Sequence, residues 1–136
     1  MITGIAHVNL TVPPGTLDHA NEFYAETLGL NPTPVPELQR GRLAWFNIGP
    51  PGGQQIHVSL GTNDPTSTRH PCFKLSTIEE LEAMKTRIYE HHVRGGPAAP
   101  MAADKPGRMN SGQQGKEYPN RFFARDFAGN RLEFTL

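Results

Sequence analysis

Four side chains of metal-binding type stand at matched places in the two halves of this sequence: His7, His57, His70 and Glu133. His7 opens the stretch His7-Val8-Asn9-Leu10-Thr11-Val12, and His57 lies within Ile56-His57-Val58-Ser59-Leu60. The second half repeats the arrangement with His70 and, near its end, Glu133. Neutral imidazole and carboxylate together suit Zn, Ni, Co, Mn or Fe(II). Two imidazoles and one carboxylate on a shared face would leave coordination positions open for substrate and water. Such a metal could polarise a carbonyl, stabilise an enediolate or bind oxygen. A lone strand histidine is usually a polar residue on a wet face. Matched placement in two halves instead predicts one site shared between them.

The elements that must position these residues follow from local pattern. Residues 5–12 alternate strictly, with His7, Asn9 and Thr11 on one side and Val8, Leu10 and Val12 on the other. That period of two predicts a strand with one polar and one apolar face. Pro13-Pro14-Gly15 ends it, and apolar residues from Leu17 to Leu28 recur at helical spacing, with Gly29 as the stop. Pro32, Pro34 and Pro36 predict a stiff extended connector. Strands over Arg42–Ile48 and Gln55–Leu60 follow, separated by Gly49-Pro50-Pro51-Gly52-Gly53. Alternation allows only one of Trp45 and Phe46 to face inward.

The second half repeats this order. A strand over Pro71–Leu75 leads to Thr77, an N-cap with Glu80 three residues on. The helix then runs from Ile78 to about His92, with Leu81, Met84, Ile88 and Val93 on one face, and stops at Gly95-Gly96. A polar loop over Pro97–Asn120 precedes strands at Arg121–Arg125 and Arg131–Leu136, joined by the turn Asp126-Phe127-Ala128-Gly129-Asn130. His7 and His70 are 63 positions apart and His57 and Glu133 are 76 apart, so the 13-residue excess falls in that loop. Loops so long are more often functional, or disordered, than architectural. Each candidate ligand lies on the polar side of its strand, which predicts a polar concavity under which the apolar sides meet the helices. Arg108, Lys116, Arg121 and Arg125 gather around the loop and could clamp an anionic substrate group. His19, His91 and His92 read as solvated, and Cys72 as a small, partly buried strand residue without a redox role.

Composition narrows the class of partner. Thirteen basic and thirteen acidic side chains cancel, so no global field draws the chain to nucleic acid or to an anionic membrane. No apolar stretch approaches the roughly 20 residues of a membrane span, and no basic segment with an apolar run behind it opens the chain. One cysteine excludes an internal disulfide framework. A cytoplasmic protein acting on a small molecule is the expectation.

Three segments carry a resemblance to a known family: Gly4-Ile5-Ala6-His7-Val8, Phe23-Tyr24 with Leu28-Gly29-Leu30, and Asp126-Phe127-Ala128-Gly129-Asn130-Arg131-Leu132-Glu133. They resemble the vicinal oxygen chelate superfamily, which contains glyoxalase I, fosfomycin-inactivating thiol transferases, extradiol dioxygenases and bleomycin-binding proteins. Phe127 stands where that family usually has proline. The resemblance implies an α+β fold of two βαβββ modules, about 1–62 and 68–136, within a single domain over 1–136. It further implies a divalent metal in a cleft and a homodimer. His7, His70 and Glu133 match the three ligands shared by the fosfomycin and dioxygenase branches. His57 matches a fourth position, where metal-dependent glyoxalase I has a glutamate. The implied activity is a glyoxalase-I-like lyase or isomerase, with Glu133 as base and His57 as fourth ligand or proton shuttle. An Fe(II) dioxygenase and a non-catalytic drug- or metabolite-binding protein are the alternatives.

Overall fold

In a computed structural model, which describes residues 1–117 and 119–136, the chain divides into two compact units, Met1–Asn63 and Asp64–Leu136. Each is an α+β module with the element order βαβββ. In the first unit β1 (His7–Val12) leads to α1 (Leu17–Ala20), which continues as a π-helical segment over Asn21–Thr27. Three strands follow: β2 (Asn31–Thr33), β3 (Leu43–Asn47) and β4 (Gln55–Leu60), with a 3-10 turn at Glu37–Gln39. In the second unit β5 (Cys72–Lys74) leads to α2 (Ile78–Arg94), then β6 (Ala102–Ala103), β7 (Phe122–Arg125) and β8 (Arg131–Thr135). Among the described residues no helix is long and apolar enough to cross a membrane.

The two sheets have the same plan. Their strand orders are β1-β4-β3-β2 and β5-β8-β7-β6. In each, the first strand pairs in parallel with the last, and the other pairings are antiparallel. The helix between first and second strands supplies the crossover that parallel pairing requires. Register makes the duplication exact to the residue: Asn9 lies beside His57, and Cys72 lies beside Glu133. These pairs are offset by the same 63 and 76 positions as the histidines, so His57 and Glu133 are structural equivalents.

Alternation sorts the faces as the period of two predicts. Leu10, Val12, Phe46, Ile56 and Val58 are buried in the first unit together with Phe23, Tyr24 and Leu28 of the helical segment. Tyr24 meets Phe46 with ring centroids 5.6 Å apart. In the second unit Phe122 stacks on Phe134 at 4.8 Å, and Phe73 lies 5.3 Å from the same ring. Burying an aromatic side chain of this size contributes about 2–3 kcal/mol. Phe46 takes the inward position and Trp45 the polar face.

Several local expectations need correction. The single helix over Leu17–Leu28 becomes a short α-helix followed by wider turns, in which the Leu28 amide donates to the Phe23 carbonyl. The proline-rich connector contains an edge strand, Asn31–Thr33; proline is tolerated there because no neighbour demands its missing N–H. The loop over Pro97–Asn120 includes the edge strand β6, and its Tyr118 lies outside the described residues. On α2 the Thr77 hydroxyl accepts from the Glu80 amide as expected, while the Glu80 carboxylate accepts from the Ser76 amide. Val93, expected on the apolar face, is 65% exposed. At 3.6 residues per turn it falls about a third of a turn from the line through Leu81 and Ile88. Lys85 and His91 are buried instead, so His91 is not the solvated residue its type suggests. His92 is half-buried and its Nδ1 donates to the Pro100 carbonyl, which ties the end of α2 to the approach to β6.

The β7–β8 turn is fixed by Asp126, which is fully buried. Its Oδ1 accepts from the Ala128 and Asn130 amides, and its Oδ2 accepts from Asn130 Nδ2. Gly129 has φ +85°, and a Cβ there would lie 2.5 Å from Pro65 Cβ. Gly107 has φ +72° with open space around it. Ala at position 107 is therefore expected to cost about 1 kcal/mol for left-handed backbone. Gly129→Ala should cost about 3 kcal/mol or more, because the collision with Pro65 adds to that strain. Urea unfolding of the two variants measures the difference, and equal costs would disprove the tight approach of Pro65.

Candidate functional site

Two pairs of candidate residues form, one in each unit: His7 with His57, and His70 with Glu133. Among the described residues no group of three or more His, Cys, Asp or Glu side chains gathers to hold a metal.

The first pair is organised by stacking. Trp45 on β3 and His57 on β4 are cross-strand partners, so their rings share one face. Their centroids are 4.3 Å apart at an interplanar angle of 5°. His7, at the start of β1, covers the other side of the His57 ring at 4.0 Å and 11°. The result is a column of three parallel rings with His57 in the middle. Gln55 sets the edge of that ring. Its Nε2 donates to Asn47 Oδ1 at 2.7 Å, which leaves Oε1 to accept from His57 Nε2 at 2.7 Å. The Nε2–H tautomer follows, with the free lone pair on Nδ1. Desolvation, then the neighbouring His7, holds the His57 imidazole below its ordinary value of 6.5. Asn9 and Ser59 complete this face, Asn9 Nδ2 donating to Ser59 Oγ at 2.9 Å.

The second pair is organised by charge and hydrogen bonding. His70 Nδ1 donates to the Thr68 carbonyl at 2.7 Å, and His70 Nε2 lies 2.8 Å from Glu133 Oε2. A ring nitrogen tied to a backbone carbonyl is the support that ligating histidines characteristically have. With Nδ1 holding the proton of a neutral ring, the Nε2 lone pair would face a carboxylate oxygen. An imidazole nitrogen and a carboxylate oxygen lie side by side, two donor types that divalent ions take. The pair therefore suits a divalent ion by its donor chemistry. Glu133 is 5% exposed, and its Oε1 meets Arg121 Nη1 at 3.3 Å. Phe123, the cross-strand partner of Glu133, places its ring edge-on to His70 at 5.6 Å.

Cys72 stands on the edge strand β5, exposed as a residue while its sulfur lies against Glu133. Its thiol donates to the Glu133 carboxylate. Desolvation of the sulfur and then that negative charge push it up to about 11. It stays a thiol at neutral pH and is a poor nucleophile there.

The four basic residues of the expected clamp do different things. Arg121 Nε donates to the Gln113 carbonyl at 2.8 Å, and Nη2 reaches the same oxygen, so the long loop is pinned beside Glu133. Arg125 Nη1 donates to the carbonyls of Ser67 and Gly129, at 3.0 and 2.8 Å. Arg108 and Lys116 are exposed on the loop. The residues that sequence reasoning passed over are Gln55 and Thr68, which hold the two histidine rings by hydrogen bonds; Trp45, one of the two aromatics that alternation sorts, takes the polar face and stacks on His57. Gln55 lies two positions before His57 on the same strand, so alternation already puts it on the polar face.

No family model and no curated protein matches the sequence. Solved structures do. A glyoxalase family protein from Bacillus anthracis is 30% identical, with 98% of this chain and 94% of that one covered and a TM-score of 0.69. The fosfomycin resistance protein FosX from Listeria monocytogenes, complexed with Mn(II) and 1S,2S-dihydroxypropylphosphonic acid, is 18% identical. It covers 99% of this chain and 90% of its own, with a TM-score of 0.69. An integron cassette protein from the mobile metagenome of the Halifax Harbour sewage outfall is 19% identical, covers 98% of each chain and gives a TM-score of 0.63. The last two share the fold. The first covers nearly the whole of both chains. The chain belongs to the glyoxalase family of the vicinal oxygen chelate superfamily.

Proposed function

We propose that this protein is a metal-dependent lyase or isomerase of the glyoxalase type, acting on a small substrate that offers two neighbouring oxygens. The observation that carries the reading is the His70–Glu133 pair. Its imidazole is locked through Nδ1 to the Thr68 carbonyl while Nε2 faces a carboxylate oxygen at 2.8 Å. In this reading His70 and Glu133 hold one divalent ion, and a homodimer is the working assembly. The Mn(II) in the Listeria FosX structure supports a divalent ion of this class. When bound, the ion supplies Lewis acidity at a substrate oxygen.

The chain's own residues supply orientation and proton transfer. Arg121 holds Oε1 of Glu133 and so directs Oε2 toward His70. A carboxylate with its second oxygen held in this way can also accept a substrate proton. We assign His57 to proton transfer and to positioning His7 rather than to ligation. Its Nε2 is committed to Gln55, and a ligand bond lies in the ring plane, which parallel stacking on His7 disfavours for a shared ion. A ring kept neutral by desolvation can take a proton on Nδ1 near pH 7.

Metal analysis of protein purified without chelator should find about one equivalent per chain. His70→Ala and Glu133→Gln should each lower this by about tenfold or more, while His57→Ala should retain most of it. Loss of metal in His57→Ala would make His57 a ligand. Metal-dependent turnover of methylglyoxal–thiol hemithioacetals is the expected activity, whereas oxygen uptake with catechols would replace the lyase reading by a dioxygenase.

The depressed value of His57 has a signed consequence for stability. Below 6.5 the unfolded chain protonates position 57 before the folded chain does, so stability rises with pH across that interval. It is lost as pH falls from 6.5 toward the folded value. Unfolding free energies of metal-free protein at about pH 7.5 and about pH 5.5 should differ less in His57→Phe than in the parent. An unchanged difference would refute the desolvated, neutral ring.

A further inference from the structure

The second unit contains a cavity of about 340 Å³ lined by Ala102, Asp104, Ser111, Phe123, Arg125 and Arg131, among others. Arg125 and Arg131 are direct cross-strand partners on β7 and β8. Two like charges placed opposite one another in an antiparallel pair are destabilising. Both arginines nevertheless line the same cavity. Among the described residues no ion pair joins Asp104, which lines the same cavity, to either arginine. Its Oδ2 instead accepts from the backbone amides of Ser111 and Phe123, at 3.0 and 2.9 Å.

The two arginines differ in what they have left to give. Arg125 spends Nη1 on two carbonyls, which fixes it to the chain. The Arg131 guanidinium lies 4.2 Å over the Phe123 ring centroid, and among the described residues no hydrogen bond or ion pair engages it. A guanidinium stacked on an aromatic face keeps its N–H edge in a fixed plane. That is the geometry with which arginine grips carboxylate and phosphate oxygens.

We propose that this cavity is an oxyanion subsite, with Arg131 as the gripping residue and Arg125 as the fixed second charge. The ligand chemistry is a phosphate-, phosphonate- or carboxylate-type group. An anion seated there relieves the Arg125–Arg131 repulsion by lying between the two charges. The subsite also names a substrate class for the proposed reaction, and this part rests on that reading. Arg131 lies two residues before Glu133 on the same face of β8, a spacing of roughly 7 Å. Phe123, which carries the Arg131 guanidinium, is the cross-strand neighbour of Glu133. A substrate gripped at Arg131 and reacting at Glu133 is thus a short molecule, with its anionic group only a few bonds from its neighbouring oxygens.

Metal-free protein separates the subsite from the metal reading. Inorganic phosphate and acetate are titrated calorimetrically at constant ionic strength into the parent, Arg131→Met and Arg108→Gln, with folding checked by circular dichroism. Methionine keeps the stem over Phe123 and removes the charge, and Arg108 is an exposed loop control. The expected result is saturable binding of at least one anion to the parent, weakened about tenfold or more by Arg131→Met and unchanged by Arg108→Gln. The tighter anion names the group. Arg131→Lys should fall between the two, since it keeps charge and loses the planar fork. Absence of binding to the parent, or equal binding to Arg131→Met, would overturn the subsite. Should phosphate or acetate bind while the metal-loaded protein lacks hemithioacetal turnover, the subsite stands and the reaction assignment fails.

Discussion

The parallel pairing of the first strand of each unit with its last is the constraint on which the rest depends. In a parallel ladder a one-residue slip would turn every side chain to the opposite face. Val12, Ile56 and Val58 are fully buried, as is Leu132, and Phe134 is nearly so. A slip would expose them and bury their polar neighbours, which makes the register energetically unambiguous. Once it is set, Asn9 must lie beside His57 and Cys72 beside Glu133. His7, two positions earlier on β1, and His70, two positions before Cys72 and just outside β5, then reach His57 and Glu133. Core packing alone thus delivers both ligand pairs to one face of each sheet.

The same logic explains which features can be read in advance. Alternation over residues 5–12 and 55–60 is local, and it identifies His7, His57 and the buried faces from the residues themselves. Glycine at 29 and 95 ends its helix with positive φ, again a local demand. The edge strands at Asn31–Thr33 and Ala102–Ala103 are different. Two or three residues carry no period, and only pairing with β3 and β7 makes them strands. Burial of His91 is set by what α2 packs against, which residue type does not reveal. The roles of Gln55, Thr68 and Arg131 are also non-local. Each depends on a partner's carbonyl, amide or ring, although all three positions were adjacent to residues that the pattern had already marked.

Glu133 shows how the fold manages a charge that packing would otherwise exclude. A carboxylate so nearly buried is costly unless it is paired and hydrogen-bonded. Here Arg121 meets one oxygen, His70 meets the other and the Cys72 thiol donates to the same group. Removing one partner from such a set leaves an uncompensated charge, with losses of about 3–5 kcal/mol in comparable sites. Arg121 is in turn held by the Gln113 carbonyl of the long loop. The 13-residue excess of the second half therefore bears directly on the carboxylate, since part of that loop fixes the cation that orients it.

The equivalent positions 57 and 133 have opposite electrostatics, and their neighbours explain why. Position 57 faces the ring of Trp45 on one side and that of His7 on the other. The face of an aromatic ring is its negative side, so a carboxylate sandwiched there would be repelled, whereas a neutral imidazole stacks. Position 133 has Phe123 as cross-strand partner where position 57 has Trp45, and a cation and a thiol meet its carboxylate. A glutamate at 57 would lack the cation and thiol that meet Glu133 and would face two rings instead. By the resemblance, position 57 carries histidine where metal-dependent glyoxalase I has glutamate, and here Trp45 stacks on that histidine. On the proposed reading this change trades a fourth charged ligand for a neutral ring that orients His7. It also leaves Glu133 as the single carboxylate among the four equivalent positions.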